Sequence, residues 1–438
     1  MNITLARRSF RSLVRWRFTR VFVALIALAL TAGVVPSGRP EDVGFSSERL
    51  HRINQLVQRY IDEKQIAGAV TAVTRRGRVA HLEPQGLMNI EAKTPMRRDA
   101  IFRIASMTKP VTGVAIMMLL EEGKVRLNDP VSKFVPEFRD SKVAIEKPRP
   151  AGPGAAPAPG QLPHAPDIYT VPANRDITVR DLLTHTSGLQ SGGAGSREAS
   201  RLAPRNSTDT LATHIPRLGL VPLDFQPGTE WRYSGLAGID TLGRIVEVAS
   251  GLTFDQFLKQ RIFDPLGMKD TAFYQPDEKM PRVATLYDRT PSGLQRRDAP
   301  AWLVTRTLFS GGAGLWSTAE DYLQFAQLLV NGGELNGKRL LSPRTVDLLA
   351  SNHVGDLFAE AGATRRGMGF GLTVEVVMDP IHANRRTSSG SFGWDGAFGT
   401  HFWVDRKEQI AGILLIQQAV NATLNRDFEN AVMQAIVD

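Results

Sequence analysis

The sequence contains no cysteine, and this absence excludes several kinds of chemistry. No disulfide, thiolate nucleophile or thiolate metal site can form, and the chain can fold in an oxidising or a reducing compartment. The Gly-x-Ser-x-Gly motif that carries the nucleophile of α/β-hydrolases is also absent. The eight histidines show no metal-ligand spacing, so we predict no metal and no other cofactor.

The distribution of positive charge does not indicate nucleic-acid binding. The formal net charge is +9, and six arginines lie within the first 20 residues, where no acidic residue occurs. These are Arg7, Arg8, Arg11, Arg15, Arg17 and Arg20. About +3 remains beyond them, which is too little and too dispersed for a phosphate-binding groove. We therefore predict no nucleic-acid partner.

A continuous apolar run covers residues 21–30 and follows the six arginines. Small residues come next, at 31–33. This order is typical of a secretory signal, whereas a membrane span needs about 20 apolar residues. We therefore predict that residues 1–35 are a signal peptide or an uncleaved signal anchor, with membrane attachment through residues 21–35 in the second case. The protein is then exported, either to the periplasm or to the medium. The pair Arg7-Arg8 also suggests a twin-arginine export signal, but this interpretation is weaker than that of an ordinary secretory signal.

Hydrophobic periodicity predicts strands and helices at both ends of the remaining chain and mainly helices between them. The predicted strands are 67–73, 79–87, 371–377, 400–404 and 410–417, and the predicted helices at the two ends are 50–60, 110–122 and 424–436. This order favours one sheet formed from both ends of the chain over two sequential domains.

The predicted domains follow from this pattern. An α/β domain consists of residues 41–124 and 303–438, and a mainly helical domain, 125–302, is inserted between the two parts. The inserted domain includes a Pro/Ala/Gly-rich surface excursion at 146–172.

Ser106 lies three residues before Lys109, at the start of the predicted helix 110–122. A serine hydroxyl is a weak nucleophile at neutral pH and needs a proton acceptor beside it. Residues three apart share one face of a helix, so the lysine amine can reach the serine oxygen. Free amides at a helix N-terminus also favour the negative charge that develops in acyl transfer. Alone, the spacing is weak evidence, because a helix cap followed by a solvated lysine gives the same pattern.

The segments around Ser106 and further along the chain support a catalytic role that the Ser106–Lys109 spacing alone does not establish. Residues 104–110, Ile-Ala-Ser-Met-Thr-Lys-Pro, resemble the nucleophile motif of the class C β-lactamase and penicillin-binding-protein superfamily. Three further segments resemble the same superfamily in the same order, at 179–189, 226–234 and 309–318. The resemblance runs from about residue 41 to the C-terminus. It implies an α/β (α+β) fold of the β-lactamase/transpeptidase kind, with an antiparallel sheet flanked by terminal helices and an inserted helical domain.

The resemblance also implies that Tyr233 is the second proton-handling group. A phenol normally keeps its proton up to about pH 10, so it needs a cation such as Lys109 beside it to act as a base near pH 7. Two residues later, β-lactamases usually have an asparagine that helps to hold the substrate, and this chain has Gly235. His185 invites a Ser-His-Asp interpretation, but without the elbow motif we interpret it as a structural residue of a turn.

The third motif of the superfamily is commonly Lys-Thr-Gly, and no such tripeptide occurs here. Trp394-Asp395-Gly396 stands in its place and resembles the variant found in family VIII carboxylesterases. An aromatic wall thus replaces a cation that would pair with a substrate carboxylate. By its place in the motif, the Ala397 amide joins that of Ser106 as the oxyanion hole. Arg385 and Arg386 lie just upstream and are predicted to be solvated.

These observations predict a serine hydrolase that cleaves carboxylic esters through an acyl-enzyme. The predicted catalytic residues are Ser106, Lys109 and Tyr233, and the predicted substrate-binding residues are Trp394, Gly396 and Gly235. The partner is a small ester or amide. Two alternatives remain, a weak β-lactamase or D-amino-acid peptidase of the same superfamily, and a non-catalytic penicillin-binding-like scaffold. The sequence does not indicate an oligomeric state.

Overall fold

The computed structural model describes residues 35–148, 167–300 and 306–438. The predicted signal or anchor, apart from Val35, lies outside the described residues, and so does most of the proline-rich excursion. Within the described ranges, no helix combines the length and the apolar character needed to cross a membrane. The predicted domain boundaries stay a prediction.

The centre of the fold is an eight-stranded antiparallel sheet built from both ends of the chain. Its strands, in spatial order, are β12 (Met368–Phe370), β13 (Glu375–Val377), β14 (Phe392–Gly396), β15 (Thr400–Asp405), β16 (Ile410–Leu415), β1 (Gly68–Arg75), β2 (Arg78–Asn89) and β3 (Thr94–Pro95). The first and last parts of the chain meet where β1 pairs with β16, with Val70 opposite Leu415. This arrangement confirms the predicted fold.

The remaining strands form four two-stranded sheets. They are β4 (Phe102–Arg103) with β9 (Trp316–Ser317), β5 (Lys142–Glu146) with β6 (Ile168–Pro172), β7 (Tyr287–Thr290) with β8 (Gly293–Arg296), and β10 (Glu334–Leu335) with β11 (Lys338–Arg339). Two of these hairpins, β5–β6 and β7–β8, lie in the middle of the chain, where the sequence predicts mainly helices. Their strands have only four or five residues, and β6 and β8 contain no buried residue, so these hairpins lack the alternation that marks a strand in the sequence.

The α-helices of the described chain lie on both faces of the main sheet and in the inserted region. They are α1 (Ser47–Leu50), α2 (Arg52–Asp62), α3 (Thr108–Glu121), α4 (Val179–Leu183), α5 (Ala194–Arg197), α6 (Ala199–Leu202), α7 (Leu211–Leu218), α8 (Ala237–Ser250), α9 (Phe254–Leu258), α10 (Asp264–Leu266), α11 (Ala319–Val330), α12 (Pro343–Leu349), α13 (Leu357–Glu360) and α14 (Ala422–Met433).

The two faces of the sheet bury separate apolar cores. On one face the terminal helices α2 and α14 pack against the sheet, where Val57 and Phe428 join Trp403 in one cluster. On the other face a larger cluster contains α3 and α11 together with β-strand residues such as Phe402. Trp403 and Phe402 are neighbours in β15, so the alternation of side chains in one strand serves both cores.

Helix α3 explains how the nucleophile is held. Residues 108–119 of this helix are all buried, as expected for a helix that packs on every side. Ser106 lies in a 3-10 turn, Ala105–Met107, which leads directly into α3. Ala105 has a φ of 45°, a conformation that non-glycine residues rarely adopt and that is often found at functional sites.

Candidate active site

Ser106, Lys109 and Tyr233 meet at the N-terminal end of α3. Lys109 Nζ lies 3.0 Å from Ser106 Oγ. Tyr233 Oη lies 2.7 Å from the same oxygen, although the two residues are 127 positions apart in the sequence. The structure therefore brings together the three residues that the sequence assigns to the chemistry, and both partners contact the nucleophilic oxygen directly.

Lys109 is completely buried, and its ammonium group is satisfied without an ion pair in the described chain. Nζ donates to the carbonyl oxygens of Gly235 and Gly312, each at 2.7 Å, in addition to its contact with Ser106. Three acceptors match the three hydrogens of an ammonium group. The geometry thus fits a charged Lys109, which favours negative charge on the neighbouring oxygens.

Asp240 in α8 holds one of these carbonyls in place. Its Oδ1 accepts hydrogen bonds from the Gly312 amide at 3.0 Å and from the Ser310 hydroxyl at 2.7 Å. Its Oδ2 pairs with Arg205 at 3.1 Å, and the carboxylate is completely buried. Asp240 is not among the site residues predicted from the sequence. The available signal was an acidic residue between the apolar positions Ile239 and Leu242 of a helical pattern.

Aromatic side chains fix the ring of Tyr233. Its centroid is 4.7 Å from that of His185, 5.6 Å from that of Trp394 and 6.5 Å from that of Trp231. Lys109 Nζ lies 4.9 Å from the centroid of the same ring. These contacts leave the phenol oxygen directed at Ser106.

His185 has the surroundings of a structural residue. It is buried in a turn with a φ of 58°, and its Nδ1 accepts a hydrogen bond from the Ser234 amide at 3.3 Å. Burial, and then the positive charge of Lys109, lowers the pKa of His185 well below its usual value. The ring is therefore neutral and packs against Tyr233.

Gly396 allows the strand β14 to approach the nucleophile turn. A Cβ at this position would lie 2.1 Å from Thr400 Oγ1 and 2.2 Å from the Ile104 carbonyl oxygen, so no larger residue fits without movement. The Thr400 hydroxyl donates to that carbonyl at 3.0 Å and ties β15 to the same turn. Because of this close contact, Ala397, the next residue, lies at the edge of the site near Ser106.

A cavity of about 380 Å³ opens above Ser106. Its lining contains Ser106, Tyr233, Gly235 and Ala397, and most of its remaining wall is apolar, namely Ala105, Leu236, Leu286, Pro300, Ala313, Phe398 and Ala419. Asp288 and Arg297 also line it and pair with each other at 3.1 Å. Trp394 is not part of this lining and instead packs against Tyr233 and Phe370. A Cβ at Gly235 would lie 4.0 Å from Tyr233 Cε1, an ordinary contact distance.

A cluster of charged residues lies beside β14, the strand that carries the Trp394-Asp395-Gly396 motif. This cluster corrects the expectation that Arg385 is solvated. Arg385 is not solvated: its side chain is only 15 % exposed, and its guanidinium contacts Glu375 at 3.1 Å and Glu429 at 2.7 Å. The buried Glu429 and the half-buried Glu375 hold the arginine inside the protein. The sequence alone does not show that these carboxylates lie beside Arg385. Arg386 is exposed, as expected.

His401 connects this cluster to the motif. It lies opposite Asp395 in the pairing of β14 with β15, and its Nδ1 is 2.6 Å from Asp395 Oδ1. Its Nε2 is 3.2 Å from Glu429 Oε1. Burial opposes a charge on this ring, but the two carboxylates outweigh it and raise the pKa of His401 to about 9.

The fold and the Ser-Lys-Tyr geometry define a serine hydrolase of the β-lactamase type, in which a lysine and a tyrosine contact the nucleophile. The chain belongs to the β-lactamase family, whose sequence profile matches residues 53–434. It is 31 % identical to esterase EstB of Burkholderia gladioli over 394 residues, which cover 84 % of this chain and 90 % of EstB.

Two further similarities extend this result. The lovastatin esterase of Penicillium rubens is 28 % identical over 396 residues, which cover 82 % of this chain and 91 % of that protein. The solved structure of EstCE1, a hydrolase with promiscuous acyltransferase activity, superposes with a TM-score of 0.73 at 27 % identity. The superposition covers 88 % of this chain and 99 % of EstCE1.

Proposed function

We propose that the protein is a carboxylesterase that works through an acyl-enzyme on Ser106. The observation that carries the proposal is the position of Ser106 Oγ, within 3.0 Å of Lys109 and 2.7 Å of Tyr233, at the floor of a largely apolar cavity. The named esterases among the relatives support it.

The reaction follows from the contacts. Tyr233 takes the proton of the Ser106 hydroxyl as this oxygen attacks the ester carbonyl, and Lys109 stabilises the negative charge that Tyr233 carries before that transfer. Tyr233 then passes the proton to the leaving alcohol. The amides of Ser106 and Ala397 receive the oxyanion, and each such donor is typically worth about 3 kcal/mol. Water repeats the sequence in reverse and releases the acid.

The surroundings of the nucleophile favour esters over β-lactams. Trp394 occupies the motif position at which the superfamily commonly has lysine, and Gly235 removes an amide that would hold the substrate. The two charged residues of the cavity neutralise each other across 3.1 Å. A neutral, apolar group next to the carbonyl is therefore the best match for the cavity.

The test compares 4-nitrophenyl butyrate with nitrocefin in the wild type and in Ser106→Ala. We expect the wild type to hydrolyse the ester and the variant to fall to the background rate. A fluorophosphonate should label the wild type once per chain and leave Ser106→Ala unlabelled. Ester hydrolysis that persists in Ser106→Ala would overturn the mechanism.

The same measurements distinguish the alternatives. A kcat/KM that strongly favours nitrocefin, or release of D-alanine from a D-alanyl-D-alanine peptide, would indicate a β-lactamase or peptidase instead. A chain that is folded but neither labelled nor active would indicate a non-catalytic scaffold. Export remains a further proposal that rests on residues 1–35, and fractionation of cells expressing the full chain tests it.

A further inference from the structure

Arg103 is a half-buried cation without an acidic partner among the described residues. Its guanidinium carbon lies 4.1 Å from the centroid of the Trp316 ring, and its buried Nε has no hydrogen-bond partner. Burial lowers the pKa of Arg103, and no neighbouring carboxylate opposes this effect. Buried charges in proteins are normally paired, so an arginine of this kind is unusual.

The stacking on Trp316 explains only part of this arrangement. A guanidinium carries five N–H donors in its plane, and stacking on a ring occupies its face and leaves the donors at its edge. No protein acceptor of the described chain takes the side-chain donors of Arg103. The hydrogen bonds of this residue, to the side chain of Gln417, use its backbone amide and carbonyl.

Arg103 lines a cavity of about 320 Å³ with a marked excess of positive charge. Arg296 and Arg297 also line this cavity, and Asp298 is the one carboxylate among its described lining residues. Arg297 is already paired with Asp288. Arg296 is exposed at the end of β8. The hydrogen bond from Tyr287 lowers the pKa of Glu91 most, and the charge of Arg296 lowers it to a smaller extent. The cavity therefore offers Arg103 and Arg296 to an anion.

This cavity adjoins the catalytic one. Leu286 and Arg297 line both cavities, so these two side chains form the wall between them. Arg103 ends the strand β4 and precedes the nucleophile by three residues. A ligand with its carbonyl at Ser106 would have to pass Leu286 and Arg297 to reach the guanidinium.

We propose that the cavity at Arg103 binds the carboxylate of an anionic ester substrate whose carbonyl lies at Ser106. The proposal rests on the proposed esterase function and specifies its substrate class. A guanidinium binds a carboxylate through two parallel hydrogen bonds, and the low exposure of Arg103 strengthens such a contact.

The kinetic test uses two anionic esters, because the carboxylate can belong to the acid or to the alcohol. These are 4-nitrophenyl hydrogen adipate and 4-acetoxybenzoate, each compared with its neutral methyl ester. The measured quantity is the ratio of kcat/KM for the anion to kcat/KM for its methyl ester. We expect Arg103→Gln to lower this ratio about tenfold or more for one of the two pairs, and Arg103→Lys to restore part of it.

The control is Arg289→Gln. Arg289 is exposed, lies in the β7–β8 hairpin that also carries Arg296, and lines neither cavity. The ratio measured for this variant should equal that of the wild type. If Arg103→Gln does not fold, Arg296→Gln at the exposed side of the cavity should still lower the ratio severalfold. A ratio that stays at the wild-type value in both variants, for both pairs, overturns the proposal.

A binding measurement separates this proposal from the esterase function. Calorimetry with adipate and with 4-hydroxybenzoate, which match the acid-side and alcohol-side carboxylates, is carried out on Ser106→Ala, alone and combined with Arg103→Gln. Binding of either anion that Arg103→Gln weakens supports the carboxylate site even if no ester is hydrolysed. If the binding of both anions is absent, or equal in the two proteins, and the neutral esters are hydrolysed, the site is contradicted and the esterase function stands.

Discussion

Asp240 and Lys109 are connected through a single glycine. The Gly312 amide donates to Asp240 Oδ1 at 3.0 Å, and the Gly312 carbonyl accepts from Lys109 Nζ at 2.7 Å. The carboxylate thereby fixes the peptide that holds the ammonium group beside Ser106. Asp240 does not contact the nucleophile, so it is a positioning residue of the candidate site.

We expect Asp240→Ala to lower both stability and activity. The substitution leaves the Gly312 amide and the Ser310 hydroxyl without an acceptor, at a cost of about 1–3 kcal/mol each. Asp240→Asn retains one acceptor oxygen, so its stability and activity should lie between those of Asp240→Ala and the wild type. Chemical denaturation measures the stability, and kcat for 4-nitrophenyl butyrate measures the activity.

Arg205→Gln is the matched control, because it removes the ion pair of Asp240 but leaves the bonds to Gly312 and Ser310. Its kcat should stay within about twofold of the wild type, although a buried carboxylate that loses its partner should lower the stability. A kcat reduced as much as in Asp240→Ala would show that the ion pair, and not the Gly312 bond, is responsible.

The sequence could predict the catalytic side chains but not the groups that support them. Ser106, Lys109 and Tyr233 each stand in a recognisable motif. The carbonyls of Gly235 and Gly312 are backbone atoms, and backbone atoms carry no signal of residue type. The peptides that hold Lys109 therefore emerge only from the fold.

Arg385 shows a second limit of sequence reasoning. Its partners, Glu375 and Glu429, are 10 and 44 positions away, and only the packing of α14 on the sheet brings them together. The main sheet was predictable, because its buried strands have strong apolar patterns. The small hairpin β7–β8 has no such pattern, yet it supplies Arg296.

His401 should make the stability of the protein depend on pH in the alkaline range. In the folded state its pKa is raised to about 9, whereas an unfolded histidine titrates near 6.5. The charged form is therefore stabilised by folding, on the order of 3 kcal/mol. This contribution is complete below pH 6.5 and is lost as the pH rises to about 9.

The groups that face His401 are Asp395 from β14 and Glu429 from α14, with Arg385 and Glu375 behind Glu429. Denaturation midpoints at pH 6, 7.5 and 9.5 should fall more steeply in the wild type than in His401→Gln. His81→Gln is the control between pH 7.5 and 9.5, because burial lowers the pKa of His81 to about 4 and the unfolded ring is also largely neutral in this interval. Equal slopes in the wild type and His401→Gln would refute the prediction.

Tyr233→Phe should separate catalysis from packing. The substitution removes the oxygen at 2.7 Å from Ser106 but keeps the ring that packs against His185 and Trp394. We expect kcat to fall about 10²- to 10⁴-fold, as is typical for loss of a general acid–base group, with little change in Tm. A large fall in Tm would mean that the hydroxyl has a structural role.

Gly396→Ala should displace the Ala397 amide from its position in the oxyanion hole. The added Cβ would lie about 2 Å from both Thr400 Oγ1 and the Ile104 carbonyl oxygen, so β14 must move away from the nucleophile turn. Overpacking of this kind costs about 1–3 kcal/mol, and a displaced Ala397 amide should reduce kcat about 10²-fold.

The control for this substitution is Gly362→Ala, because no atom lies within 4 Å of a Cβ at Gly362 and its φ of 175° suits any residue. It should leave kcat and the denaturation midpoint at their wild-type values. The affinity for a boronic acid that forms a tetrahedral adduct on Ser106 provides an independent measure, because this adduct uses the oxyanion hole. Gly396→Ala should weaken adduct formation in proportion to its loss of kcat. An unchanged affinity would mean that the Ala397 amide does not contact the oxyanion.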